Sequence, residues 1–240
     1  MARLACIGGV LAAFLSTPIM AADVELAGRT LHLEPGAGLC ALLAEDPRDA
    51  VRIDMIRGAE RDLAEVAGYW ADCKVLDDWR NGRTKLLMPY VLILAPFPEG
   101  HVVVVPFDMP QDEYMAEQKR AILEFVGDNE QLETSRGLLV DRTNEALGKI
   151  DQNTNFSADT AQPIGILSED ILAYALLVPT SQGEVRRTIA WVAAPVQLNG
   201  IDISVNAYDE MHGPATIFAL EGMVRRVVTD LSEKNPTSLP

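Results

Sequence analysis

The chain has 240 residues, 48% of them hydrophobic and 23% charged, with a formal net charge of −15. That is enough apolar material for one large domain or two lobes that share a core. So acidic a chain disfavours nucleic acid and anionic lipid as partners, and its basic residues cluster only briefly, as at Arg186-Arg187 and Arg225-Arg226.

Residues 1–22 read as a secretory signal peptide. Arg3 is the lone early cation, Leu4 to Leu15 is almost wholly apolar, and Ser16-Thr17-Pro18 breaks the run before Met20-Ala21-Ala22. The competing reading is an uncleaved membrane anchor, which Gly8, Gly9 and Pro18 weaken as a spanning helix. Cys6 stands before the apolar core and not after it, which argues against lipidation there. Cleavage after Ala22 removes Arg3 and Cys6, so 19 basic residues face 35 acidic ones and the net charge becomes −16. No further membrane span is expected, and the location implied is periplasmic or secreted.

Two cysteines then remain, Cys40 and Cys73. In an exported chain they most simply form one disulfide, closing a loop of roughly 33 residues and stabilising by about 3–4 kcal/mol in the chain-entropy model. Neither belongs to a C-x-x-C motif, and no histidine stands beside them at ligand spacing.

Residues 23–148 form the expected N-terminal half. Val24 to Leu33 alternates loosely and reads as a short strand before the turn Glu34-Pro35-Gly36. Asp46-Pro47 is a helix start, with a capping carboxylate followed by proline at the first helical position. Ile53, Ile56, Ala59 and Leu63 supply its apolar stripe. Glu65 to Asp72 reads as a strand that delivers Cys73 to Cys40. Cys73 to Arg80 is a short helix with Leu76 and Trp79 on one face, stopped by Asn81-Gly82.

Leu86 to Phe107 is the most apolar stretch of the mature chain. Pro89, Pro96, Pro98 and Pro106 would each disturb a helix, so the expectation is two buried strands, Tyr90–Ala95 and Val102–Val105. Asp108 and Pro110 start a second helix with Tyr114, Gln118, Ala121, Ile122 and Phe125 on one face, ended by Gly127. A third helix follows from about Asn129 to Leu147, with Leu132, Leu139, Val140, Thr143 and Leu147 inward.

Residues 149–163 are polar and irregular, and read as a linker between two halves. Residues 164–235 turn strand-like. Ile171 to Pro179 and Val185 to Leu198 are separated by Thr180-Ser181-Gln182-Gly183-Glu184, and Asn199-Gly200 is a type I′ turn signal before Ile201. Ile201, Ile203, Val205 and Ala207 share one face, with Asp202, Ser204 and Asn206 on the other. Gly213-Pro214 introduces a helix with Ile217, Leu220, Val224, Val227, Val228 and Leu231 as its buried stripe, stopped by Asn235-Pro236, and residues 236–240 form a tail. The fold class expected is α+β, an antiparallel sheet with a C-terminal strand meander packed against several helices.

Ala71-Asp72-Cys73, Leu76, Trp79-Arg80, Gly82 and Tyr90 together resemble a pattern that recurs in a group of secreted bacterial proteins. The resemblance implies export and the disulfide, and it brings no mechanism. The order of elements in the C-terminal half is similar to that of PsbP-type domains, which is a likeness of fold alone.

The chemistry-bearing motifs are weak. There is no G-x-S-x-G, Ser168, Ser181 and Ser204 lie in turn-like or exposed-strand settings, and His32, His101 and His212 are scattered. Acid pairs such as Asp77-Asp78 and Glu169-Asp170 read as solvated surface. Asp151, Asn153, Asn155, Ser157 and Asp159 fall at the alternating positions of a calcium loop, but Phe156 replaces its glycine and Gln162 its closing glutamate. No metal and no cofactor is therefore expected, and no catalytic residue is assigned. Tyr69, Trp70 and Trp79 cluster around the disulfide and form the candidate binding surface, with packing of the bridge as the competing role. The function expected is that of a non-enzymatic binding or envelope accessory factor with a protein or small-molecule partner. The alternative is a small periplasmic hydrolase whose acidic site is assembled only in three dimensions.

Overall fold

A computed structural model describes residues 22–34, 36–97, 100–105, 109–148 and 156–236. The leader expected over residues 1–22 lies almost wholly outside these, as do Asp108 and most of the calcium-like stretch.

The chain opens with a hairpin, β1 (Ala22–Leu26) and β2 (Arg29–Leu33), where a single strand was expected. Ala27 and Gly28 both take positive φ, 49° and 74°, so the alternating pattern is cut by a two-residue turn that matches the twist of paired strands. β3 (Leu39–Ala41) precedes α1 (Pro47–Glu60), whose N-cap Asp46 accepts the backbone N–H groups of Arg48 and Asp49. Ile53, Ile56 and Ala59 are buried as their spacing predicts, but the helix stops at Glu60 and Leu63 lies exposed beyond it. β4 (Ala64–Asp72) runs directly into α2 (Cys73–Arg80), which is capped by the Asp72 carboxylate. Gly82 follows α2 at φ 71°, the left-handed conformation that ends a helix.

β5 (Tyr90–Pro96) is buried along almost its whole length. The second strand expected at Val102–Val105 is reduced to one bridge between Val104 and Ile201, and Val104 is exposed. The reason is that β5 already has a neighbour on each side, β4 and β10, so no edge remains for it to join. α3 (Gln111–Gly127) and α4 (Asn129–Gly148) follow. Tyr114 and Ile122 of α3 are buried while Ala121 is exposed, and α4 buries Leu132 and Ala146. The Ala146 methyl packs beside Gly58 of α1.

Within the stretch expected as a linker, Phe156–Ala158 form β6, held from both sides of the peptide by Asn144 of α4. β7 (Gln162–Ser168) was not expected, and its proline and bulges explain why it does not alternate cleanly. β8 (Ala173–Gln182) and β9 (Val185–Leu198) are joined by Gly183-Glu184, a tighter turn than the five-residue loop anticipated. Asn199-Gly200 makes the predicted turn into β10 (Ile201–Glu210), with φ 46° and 72°. α5 (Pro214–Lys234) closes the chain.

The architecture is α+β. Eight strands form one antiparallel sheet in the order β3-β4-β5-β10-β9-β8-β6, with β7 also paired to β8. The β8-β9-β10 meander is the expected one, and β10 joins it to the N-terminal strands through β5. The sheet has two unlike faces. On the first, Ile201, Ile203, Val205 and Ala207 lie opposite Leu198, Val196, Ala194 and Val192, and α5 packs onto these small side chains with all six of its predicted apolar residues buried. Leu26, Leu31 and Leu33 of the hairpin complete that core. On the second face a smaller core lies beneath α1 and α2. No described helix is long and apolar enough to cross a membrane.

Candidate functional site

The second face carries a band of aromatic side chains across five adjacent strands: Tyr69 on β4, Tyr90 on β5, Tyr208 on β10, Trp191 on β9 and Tyr174 on β8. The register creates it. Tyr90 and Trp191 are the direct cross-strand partners of Tyr208. Tyr69 and Tyr174 sit diagonally, opposite residues two places along from Tyr90 and Trp191. The three central rings stack nearly parallel, with Tyr90 to Tyr208 at 4.8 Å and 20°, and Tyr208 to Trp191 at 5.8 Å and 14°. The flanking rings are tilted, at 5.3 Å for Tyr69 to Tyr90 and 6.4 Å for Trp191 to Tyr174. These separations lie in the range where aromatic pairs attract beyond their area burial.

Polar groups hold the band in place. Arg52 of α1 donates from Nε to the Tyr69 hydroxyl at 2.9 Å, and its guanidinium lies 5.8 Å from the Tyr90 ring centroid. The Trp191 indole N–H donates to Asn206 Oδ1 at 3.0 Å, and Asn206, 2% exposed, returns its own amide to the Ser204 carbonyl and hydroxyl. Tyr208 and Tyr174 differ from the rest, because their hydroxyls make no hydrogen bond among the described residues. Burial raises the Tyr90 and Tyr208 phenols above their ordinary range and pushes Tyr174 up to about 12. These phenols stay protonated at neutral pH, and those of Tyr208 and Tyr174 are left as unused donors.

The two ends of the band are packed differently. The core under α1 takes in Tyr69, Tyr90, Leu92 and part of Tyr208, and stops there. Trp191 and Tyr174 are half-buried and keep some surface in solvent. At the back of this layer Glu60, on the last turn of α1, is driven towards its neutral form by burial, which the Arg142 charge opposes. Arg142 itself has a buried Nη1 with no hydrogen-bond partner among the described residues.

The residues expected to form a binding surface are divided by the pleat. Tyr69 and Trp70 are both buried, at 5% and 3% exposure, on opposite faces of β4. Tyr69 faces the band and Trp70 the larger core, while half-buried Trp79 packs against the smaller core. Cys40 and Cys73 are bonded, with their Cα atoms 4.9 Å apart. The residues of the resemblance pattern have structural work. Asp72 caps α2, Leu76 is buried, Arg80 bonds Asp49, Gly82 ends α2 and Tyr90 lies in the band.

The sequence reading missed the band, although one signal was present. With Asn199-Gly200 as the turn, Trp191 stands eight residues before Asn199 and Tyr208 eight after Gly200, which makes them partners. Among the described residues no hydrogen bond joins a serine to a histidine. Ser181 bonds Ser157, Ser204 accepts from Asn206, and the His32 ring bonds Asp23. The acid pairs meet cations, Asp77-Asp78 at Arg83 and Glu169-Asp170 at Lys119 and Arg225.

No protein-family model, no curated protein and no solved structure significantly matches the chain. What the structure defines is a class of architecture, a two-faced antiparallel sheet with a closely packed helix on one side and an aromatic band on the other.

Proposed function

We propose that this is an exported, non-enzymatic binding protein or envelope accessory factor that holds a small molecule against the aromatic band. The observation that carries the reading is the unequal covering of one row of rings. The core closes over Tyr69 and Tyr90, while Trp191, Tyr174 and part of Tyr208 keep solvent contact with two phenol donors unused. An apolar floor with a few convergent polar groups is the usual composition of a ligand site. The rings are fixed by cross-strand stacking and by Asn206, so such a floor is preorganised and loses little on binding. The leader-like start, the disulfide and the resemblance to secreted bacterial proteins support a periplasmic or secreted setting.

The test is native mass spectrometry of the protein purified from its own envelope, compared with Trp191→Ala and Tyr208→Phe. The expected result is a bound small molecule on the wild type that both variants lose in part or in full. A wild type without adduct, whose intrinsic tryptophan fluorescence is also unchanged by envelope extract, would overturn the reading.

A further inference from the structure

The aromatic band has a helical wall facing it. α1 lies against β4, while β6 borders β8 at the opposite margin of the sheet. α4 touches both through neighbouring residues: Ala146 packs beside Gly58 of α1, and Asn144 holds the Phe156 peptide of β6. Arg61 of the α1 end also meets Glu145 at 3.0 Å. α4 therefore bounds the second face over the strands in between. Glu60 and Arg142 stand on these two helices and share one space with the band. The Glu60 charge acts on the Tyr90 and Tyr208 phenols, the Arg142 charge acts on Glu60, and Tyr208 also feels Tyr69 and Tyr174. Burial is the largest influence on the protonation of Arg52, Glu60, Tyr174 and Tyr208, yet all four keep accessible surface. Deep groups that retain surface line a concavity, since a close-packed core would leave them none.

The unused polar atoms of this concavity are donors. Arg142, its side chain 14% exposed, has a buried Nη1 with no acceptor among the described residues, and its Nη2 lies 3.9 Å from Asp62, whose carboxylate is mostly in solvent. Arg52 gives Nε to the Tyr69 hydroxyl and meets no carboxylate among the described residues. The Tyr208 and Tyr174 hydroxyls add two more donors. Arg57, Arg120 and Arg226 also lack a carboxylate, but they are exposed and water solvates them. Arg52 and Arg142 are desolvated, and a desolvated guanidinium without an acceptor is costly. Glu60 is the carboxyl that stands among them, and burial drives it towards its neutral form, so it offsets little of their charge.

Surplus positive charge and free donors beside a floor of rings are complementary to an anion with an apolar body. A cation would meet both guanidinium groups. Inorganic phosphate would bring a second charge against Glu60 and offer the rings nothing to stack on. We infer that the site binds a monocarboxylate with an aromatic body, its carboxylate at the Arg142 guanidinium and its ring lying along Tyr208 and Trp191. This inference rests on the reading of the aromatic band as a binding floor and names the class of its ligand.

Calorimetric titration of the disulfide-intact protein with three probes of one shape tests it: 3-phenylpropionate, its uncharged amide and the cation 3-phenylpropylammonium. The carboxylate should bind saturably and about tenfold more tightly than the amide, the effect of one charge-assisted hydrogen bond. Arg142→Gln should weaken the carboxylate about tenfold and erase its advantage over the amide. Arg142→Lys keeps the charge, should recover part of that advantage, and replaces the glutamine variant if that one fails to fold. Trp191→Ala should weaken carboxylate and amide alike. Equal binding of carboxylate and amide, both weakened by Trp191→Ala, overturns the inference and leaves the aromatic floor standing. Tighter binding of the cation overturns it too, since Glu60 would then be the charged partner. Carboxylate binding that Trp191→Ala leaves untouched places the anion away from the rings and also overturns it. If none of the three binds, the inference falls, and the floor is decided by whether the wild type carries an adduct in native mass spectrometry.

Discussion

Asp49 and Arg80 tie α1 to α2 from the inside. Asp49 is completely buried, and its carboxylate receives Nε of Arg80 at 3.1 Å, a second guanidinium nitrogen, and the backbone N–H of Leu43 at 2.8 Å. Arg80 also donates to the Ala41 carbonyl, beside the disulfide. Every oxygen of the carboxylate is used, which is the condition under which a buried ion pair holds.

Asp49→Ala should therefore destabilise the protein by about 3 kcal/mol or more, since it leaves a guanidinium and a backbone donor without their acceptor. Arg80→Lys keeps the charge but loses the forked geometry, and should cost less. Urea unfolding of both variants checks the order, and an Arg80→Lys loss as large as that of Asp49→Ala would mean that charge without the fork holds nothing.

The Cys40–Cys73 bond joins the strand before α1 to the first residue of α2, across a sequence separation of 33. The double variant Cys40→Ser, Cys73→Ser should lose about 3–4 kcal/mol, mainly because its unfolded chain is freer. A midpoint unchanged by thiol reductant would contradict this.

Asp202 titrates against the docking of α3. Tyr114 donates to Oδ1 at 2.7 Å and Gln118 to Oδ2 at 3.3 Å, yet burial dominates and raises the carboxyl above its usual range. A raised folded value means the group stabilises fully below its unfolded pKa, and that this contribution is lost as pH rises through the folded one. Relative to Asp202→Asn, the wild type should lose stability as pH rises from about 4 through the raised folded value. A stability difference that is flat over that interval, read by urea unfolding, would remove Asp202 as the cause.

Asn235 does more than end α5. Its buried amide accepts the His32 N–H at 2.7 Å and donates to the His32 carbonyl at 3.0 Å, clamping the N-terminal hairpin to the helix end. Asn235→Ala should cost about 1–2 kcal/mol by leaving the partly buried His32 N–H and carbonyl without their partner. Hydrogen exchange should accelerate first over residues 29–33. Protection there equal to the wild type would count against the clamp.

Much of the fold is legible along the chain because its signals are local. Pro47 after Asp46, Gly82 after α2, the turn at Asn199-Gly200 and the six apolar residues of α5 each fix an element within a few residues of themselves. The hairpin at Ala27-Gly28 escaped because a left-handed alanine carries no such signal. The strand expected at Val102–Val105 failed because its fate depended on whether β5 had a free edge, which is decided by β4 and β10. The candidate site is less legible still. Tyr90, Tyr174, Trp191 and Tyr208 lie in four strands, and each alone reads as an ordinary strand aromatic. Tyr69 and Trp70 are adjacent in sequence, yet the two-residue period of a strand sends them to opposite cores. The sequence by itself determined most of the helices and the meander strands, the disulfide and the buried stripe of the last helix, since these depend on near neighbours. Only the tertiary structure decided which aromatics share a face, which charges meet and which are left unmatched, since those depend on strand register and order across the whole sheet.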